Sequence, residues 1–195
     1  MISQKKRQRP SRRTCCEVCM DPRNEARLPN QLLCGDITYI ATNEGRLYLA
    51  AVMDMFSRQI VGWSLQSYIQ ASLVTDALAM AWWRRHQEPR AIFHSDSGSQ
   101  YCSHDFQAAL AQWGIRSSMS RKGNCWDNSP TESFWGGVKV ACVHGQRFAT
   151  REQARQAIMN WTAFYNWRRR HSSLDYLSPM QYEQRWYEAQ RKKAA

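Results

Sequence analysis

The chain has 195 residues, 43% of them hydrophobic, and a formal net charge of +11. This length and apolar content suffice for one domain with its own core, and no run approaches the roughly 18 apolar residues of a membrane span. The basic surplus predicts a polyanionic partner, with nucleic acid first and a membrane surface second. No apolar segment follows the basic stretch at the N-terminus, so a signal peptide is not expected.

Seven cysteines are scattered along the chain without forming a disulfide framework, which favours a reducing, cytoplasmic location. Cys15, Cys16 and Cys19 form a lone CxxC with one adjoining thiol. A zinc site needs a second pair of ligands, and no histidine occurs before His86. Zinc binding therefore stays open, and thiols in a flexible leader are the favoured interpretation.

The elements are predicted in chain order as follows. Residues 1–30 are basic and rich in turn formers, which predicts a disordered arm that either stays solvated or contacts phosphates. The next residues predict three strands whose short connections indicate an antiparallel meander. Further strands and helices follow from apolar runs and helical spacing. The predicted strands are 33–41, 46–53, 59–65, 91–94 and 115–119, and the predicted helices are 72–86, about 106–113, 131–143 and 151–169.

The order β-β-β-α-β-α-β-α-α predicts an α/β fold in which helices flank a mixed five-stranded sheet. This is the element order of the ribonuclease-H-like fold. We expect residues 31–182 to form this core with its C-terminal helix, and residues 183–195 to form a basic tail.

Three acidic residues lie where they could meet. Asp36 is within the first predicted strand, Asp96 comes two residues after the fourth, and Glu132 lies in the first turn of a helix. In a mixed sheet the first and fourth strands would be neighbours, so Asp36 and Asp96 are expected to project toward one point, and a helix on the sheet could add Glu132. A chain with 16 acidic residues offers many such triplets, so position alone does not single this one out.

Converging carboxylates repel one another unless a cation lies between them. Hard oxygen ligands favour Mg²⁺ or Mn²⁺ over zinc, and two such ions about 3.5–4 Å apart clamp an in-line phosphoryl displacement. Lys139 lies two helical turns after Glu132 on the same predicted face. It could hold a phosphate beside the ions, or it could be an ordinary exposed lysine.

Several stretches are diagnostic together: DITYI at 36–40, VMDMFSRQIVGWS at 52–64, HSDSGSQY at 94–101, SMSRKGNCWDN at 118–128, ESFWGGVK at 132–139 and FYNWRRRHSSLDYLSP at 164–179. They resemble the integrase-type catalytic cores of bacterial insertion-sequence transposases of the OrfB type, which are similar to retroviral integrases. In addition, 35 residues separate Asp96 from Glu132, which is the spacing of the DD(35)E class. The resemblance covers roughly residues 30–182.

The resemblance implies a ribonuclease-H-like core that cuts and joins DNA ends without a covalent protein–DNA intermediate. It implies that Asp36, Asp96 and Glu132 bind two Mg²⁺ (or Mn²⁺) ions. The implied partners are element ends, target DNA and further transposase protomers at the bacterial nucleoid, with no membrane. Expected DNA contacts come from basic and polar positions of the matching motifs: Lys139, Arg121, Lys122, Asn128, Arg168, Arg170 and His171.

The sequence also departs from the family pattern. Ser97 stands where the family usually has an arginine, and Leu33 stands where it usually has a tryptophan. Without the arginine, a fixed positive charge beside the metal ligands is missing, and we expect lower activity. Family members usually carry a helix-turn-helix-like region before the core, whereas residues 1–30 are basic and unpatterned. Recognition of element ends is therefore expected to be missing or to come from another polypeptide.

Three hypotheses about function follow. The favoured one is a strand-transferase core that performs DNA cleavage and integration. The second is a truncated, inactive transposase remnant that binds DNA or a partner transposase. The third is a metal-dependent nuclease of ribonuclease H type without joining activity. A strand-transfer assay in Mg²⁺ and Mn²⁺ distinguishes them.

Overall fold

The computed structural model describes residues 26–85, 91–119, 129–140 and 147–194. Its strands are β1 Leu32–Thr42, β2 Gly45–Asp54, β3 Ile60–Gln66, β4 Ile92–Ser95 and β5 Arg116–Met119. They form one five-stranded sheet in the order β3-β2-β1-β4-β5. The first three strands make the predicted antiparallel meander, and β4 pairs in parallel with both β1 and β5. The prediction of a mixed five-stranded sheet is confirmed.

The helices are α1 Ala71–Arg84, α2 His104–Gln112, α3 Ser129–Val138, α4 Arg151–Trp167 and α5 Pro179–Ala194. The first four correspond to the four predicted helices and differ from them by a few residues at their ends. Residues 141–143, which were predicted to end the third helix, lie outside the described residues, as does the arm at 1–25 with its three cysteines. None of the described helices is long and apolar enough to cross a membrane.

Each face of the sheet has its own apolar core. On one face, α1 and α2 pack over strand residues that include Val52 and Phe93. On the other face, α3 and α4 cover residues that include Met53, and they contribute Phe134 and Ile158. Because side chains alternate along a strand, Val52 and Met53 belong to different cores although they are adjacent. The sheet is therefore a middle layer between the two sets of helices.

The last helix corrects the prediction of a basic tail from residue 183, since α5 continues to Ala194. Its anchor is Glu183, which is buried and forms an ion pair with Arg85 at 2.6 Å. Arg85 also contacts Asp54 at 2.9 Å, so one guanidinium joins the end of α1 to β2 and α5. The boundary expected at residue 182 falls inside this helix. The basic residues near its C-terminus are favourable to the helix dipole.

Candidate active site

The pairing of β1 with β4 brings two of the three predicted acidic residues together. The two strands run in parallel, and their last paired residues are Cys34 and His94. Asp36 and Asp96 each lie two residues beyond this pair, so they emerge at the same end of neighbouring strands. Both line one cleft of about 220 Å³. The predicted adjacency of these two residues is confirmed.

Asp36 is held from a helix distant in sequence. Its Oδ2 accepts a hydrogen bond from the Trp135 indole N–H at 2.8 Å, and its Oδ1 accepts one from the Ile37 amide at 2.7 Å. Trp135 is only 6% exposed and packs in the core beneath α3. Because the indole ring is buried and fixed, its N–H restricts the rotation of the Asp36 carboxylate. The orientation of Asp36 is therefore set by the packing of α3 on the sheet.

Asp96 is exposed and is organised by its own turn. Its Oδ1 accepts a hydrogen bond from the Gly98 amide at 2.9 Å. A Cβ atom at position 98 would lie 2.8 Å from the same Oδ1, so glycine leaves room for the carboxylate to fold back on the turn. Ser97, which replaces the usual family arginine, lies exposed between them.

Tyr101 lies behind the cleft and is 2% exposed. Burial raises the pKa of its hydroxyl well above the ordinary value, and the charges of Asp36, Cys34 and Asp96 add to the rise. Both carboxylates thus act electrostatically on one buried group, as expected for acids that share a site. Asp36 and Asp96 are thus both close enough to Tyr101 to influence the pKa of its hydroxyl.

The third predicted acid, Glu132, lies in α3, and its side chain is outside the described part of the chain. Trp135 follows it by three residues and therefore lies on a similar face of the helix. Because Trp135 contacts Asp36, α3 runs directly beside the cleft. No cluster of three metal-ligating residue types occurs among the described residues, a set that does not include the Glu132 side chain. The complete triad stays a prediction.

Four of the seven predicted DNA contacts lie in the described residues. Lys139 is exposed in a π-helical turn directly after α3. Arg168 and Arg170 are exposed after α4. His171 is partly buried against the Tyr165 ring, with centroids 5.0 Å apart. Arg121, Lys122 and Asn128 fall outside the described residues.

Two further residues near the cleft and α3, Trp135 and Arg169, were not predicted from the sequence. Arg169 lies 5.5 Å above the Trp161 ring, and its Nη1 would be 2.8 Å from a Cβ atom at Gly137, so it joins α4 to α3. The spacing of Trp135 from Glu132 within ESFW was a usable signal for the first residue. For Arg169, the run of three arginines did not show which one turns inward.

Comparison with known proteins decides the family. The integrase core domain family model matches residues 26–125, and a second integrase core domain model matches residues 102–179. The chain belongs to the integrase core domain family. This integrase core is 49% identical over 156 residues to the transposase InsF for insertion sequence IS3A of Escherichia coli strain K12, covering 80% of this chain and 54% of that protein. It is 47% identical over 160 residues to the transposase for insertion sequence element IS904 of Lactococcus lactis subsp. lactis strain IL1403, covering 82% and 63%.

The expected relation to insertion-sequence transposases is thus confirmed, although this integrase core spans only about half the length of InsF. Among solved structures it is similar to a chain of the simian T-cell lymphotropic virus intasome, with a TM-score of 0.68, 19% identity and coverage of 82% and 56%. It is also similar to the HTLV-2 integrase catalytic core domain in complex with magnesium, with a TM-score of 0.63, 16% identity and coverage of 81% and 99%. These likenesses confirm the ribonuclease-H-like fold.

Proposed function

We propose that this integrase core cuts and joins DNA by metal-dependent transesterification, as the catalytic part of an insertion-sequence transposase. The observation that carries the proposal is the pair of carboxylates, Asp36 and Asp96, which line one cleft just beyond the parallel pairing of β1 with β4. We further propose that it acts on element ends and target DNA at the nucleoid, as an oligomer or with another transposase polypeptide.

The donor set fits divalent Mg²⁺ or Mn²⁺. Asp36 and Asp96 supply hard carboxylate oxygens, and Glu132 would supply the third carboxylate from α3. When bound, two such ions would activate an attacking oxygen and neutralise charge on the leaving oxygen. Burial chiefly raises the pKa of Tyr101, and the nearby charges of Asp36 and Asp96 add to the rise.

The chain's own residues would fix the reactants in place. Trp135 would hold Asp36 in one orientation through its 2.8 Å hydrogen bond. The Gly98 amide would do the same for Asp96. The exposed Lys139, together with the arginines after α4, would bind phosphates and align the strand for in-line attack. Water would attack first, and a DNA 3′-hydroxyl would attack in the joining step.

The test is a strand-transfer assay on element-end oligonucleotides with the wild type and Asp96→Asn. The variant removes a ligand charge from an exposed side chain, so we expect an intact fold and a loss of joining of at least about a hundredfold, a size typical of losing a key transition-state group. Asp105→Asn is the matched control, because Asp105 is an exposed acid on α2 that does not line the cleft. It should join DNA at the wild-type rate.

Three outcomes would contradict the proposal. Unchanged joining by Asp96→Asn would rule out the carboxylate site. An inactive wild type in both Mg²⁺ and Mn²⁺ that still binds DNA would favour the alternative of a transposase remnant, and cleavage without joining would favour a nuclease.

A further inference from the structure

The carboxylate cleft has an aromatic wall. Besides Asp36 and Asp96, it is lined by Tyr39, Tyr48 and Ile69. Tyr39 is 55% exposed and Ile69 is 43% exposed, so large apolar groups face solvent directly beside the acids. Large exposed aromatic surface next to a polar site is a usual feature of binding regions.

Two cross-strand tyrosines form this wall. Tyr39 on β1 pairs with Tyr48 on β2, and their ring centroids are 6.4 Å apart with a tilt of 56°. The guanidinium carbon of Arg46 lies 4.8 Å from the centroid of the Tyr39 ring. We call Tyr39, Tyr48 and Arg46 the tyrosine surface. It combines exposed π-faces with a positive charge, at the β1–β2 hairpin.

The tyrosine surface lies where β1 extends beyond its pairing with β4. β4 pairs with β1 only from Leu32 to Cys34, whereas β1 continues to Thr42, where Phe148 bridges it. Asp36 and Tyr39 are three residues apart on this strand, so their side chains point to opposite faces of the sheet, and both residues line the cleft beside it. A strand of DNA whose phosphate is held at Asp36 and Asp96 through a bound cation would pass beside Tyr39.

The chemistry of this surface suits a nucleobase better than an apolar protein segment. An apolar partner would bury the charge of Arg46 without compensation, which is costly. A nucleotide offers a π-face to tyrosine and a phosphate to arginine at once. The cleft volume of about 220 Å³ is below the roughly 300–1,000 Å³ of a typical small-molecule pocket. It therefore fits part of a polymer that continues beyond it.

We propose that the tyrosine surface stacks on an unpaired base of the DNA strand held at Asp36 and Asp96. This inference rests on the proposed function, because that function brings the strand to the acids. A base inside a duplex is stacked on both faces and cannot use the tyrosines. The surface would therefore favour frayed or overhanging ends over blunt duplex.

The test uses the full chain and a duplex whose 3′ overhang ends in unpaired 2-aminopurine, with Ca²⁺ in place of Mg²⁺ so that a cation can join the phosphate to the carboxylates. Binding should quench the fluorophore by stacking. Tyr39→Ala should remove the quenching and weaken binding roughly five- to tenfold, the lower part of the range for one base–aromatic contact, whereas Tyr39→Phe should keep both. Trp83→Ala is the matched control, because Trp83 is 68% exposed and does not line the cleft. It should behave as wild type.

A second duplex with an abasic site at the overhang isolates the stacking contact. On it, wild type and Tyr39→Ala should bind equally. A loss that persists on the abasic duplex, or wild-type binding and quenching by Tyr39→Ala, would overturn the inference.

The failures of the two proposals can be told apart. If the wild type joins DNA but Tyr39→Ala changes neither quenching nor affinity, only the base-stacking inference falls. If quenching depends on Tyr39 but the wild type joins no DNA in either metal, only the proposed catalysis falls.

Discussion

Replacing Trp135 by phenylalanine tests whether α3 sets the geometry of the carboxylate cleft. The change deletes one N–H donor, at 2.8 Å from Asp36 Oδ2, and keeps an aromatic ring in the same core. The ring packs beside Phe134, at a centroid distance of 5.0 Å, so most of the apolar contact survives. The loss is therefore mainly the hydrogen bond to a carboxylate.

The magnitude follows from the environment of that bond. Hydrogen bonds to charged groups contribute about 1.5–3 kcal/mol. Asp36 is only partly buried and keeps the Ile37 amide as a second donor. We therefore expect a loss of about 1.5–2 kcal/mol in the free energy of unfolding, at the lower end of this range. For metal binding, partners that orient a ligand typically contribute 10–100-fold in affinity, and we expect about tenfold weaker Mn²⁺ binding.

The assay pairs urea unfolding with Mn²⁺ titration followed by electron paramagnetic resonance. Trp161→Phe is the matched control, because the Trp161 indole nitrogen is buried and has no hydrogen-bond partner among the described residues. Deleting that donor should leave Mn²⁺ affinity unchanged. If Trp135→Phe also bound Mn²⁺ as tightly as wild type, the positioning role of Trp135 would be refuted even if stability fell.

Two further predictions concern stability. Arg85→Met should lower the free energy of unfolding by about 3–5 kcal/mol in denaturant titrations, because it leaves Asp54 and Glu183 buried without their cation; a loss below about 1 kcal/mol would contradict this account. Burial, with the neighbouring Arg169 and Arg58, lowers the pKa of His171 from 6.5. The unfolded chain therefore binds the proton more tightly, and stability falls as the pH drops below about 6.5. His171→Gln should reduce the difference in unfolding free energy between pH 7.5 and pH 5.5, and an unchanged difference would exclude this contribution.

Local patterns were enough to predict the sheet. Short apolar runs separated by turn residues located all five strands, and the order of elements made β1 and β4 neighbours. The adjacency of Asp36 and Asp96 followed from that topology alone. The sequence pattern was enough to predict the strand order because strand alternation and short connections leave few possible sheet arrangements.

Contacts between distant parts of the chain could not be predicted in this way. The bond from Trp135 to Asp36 joins residues 99 positions apart, and the pair of Arg85 with Glu183 joins residues 98 apart. The last helix is polar over most of its surface, so its periodicity is weak, and its burial depends on the partner that Arg85 supplies. The same dependence on tertiary packing explains why the sequence did not show which arginine of the run at 168–170 turns inward.

The division of the sheet into two cores has a consequence for synthesis on the ribosome. All five strands, together with α1 and α2, precede residue 120, whereas α3 and α4 follow it. One face of the sheet can thus be covered early. The apolar side chains around Met53 remain uncovered until the helices that pack on them have been synthesised. At a synthesis rate of about 5–20 residues per second, extending the chain from residue 120 to the end of α4 takes roughly 2–10 s. During that interval the nascent chain exposes part of this apolar face, and until α3 has been made Asp36 lacks its hydrogen bond from Trp135.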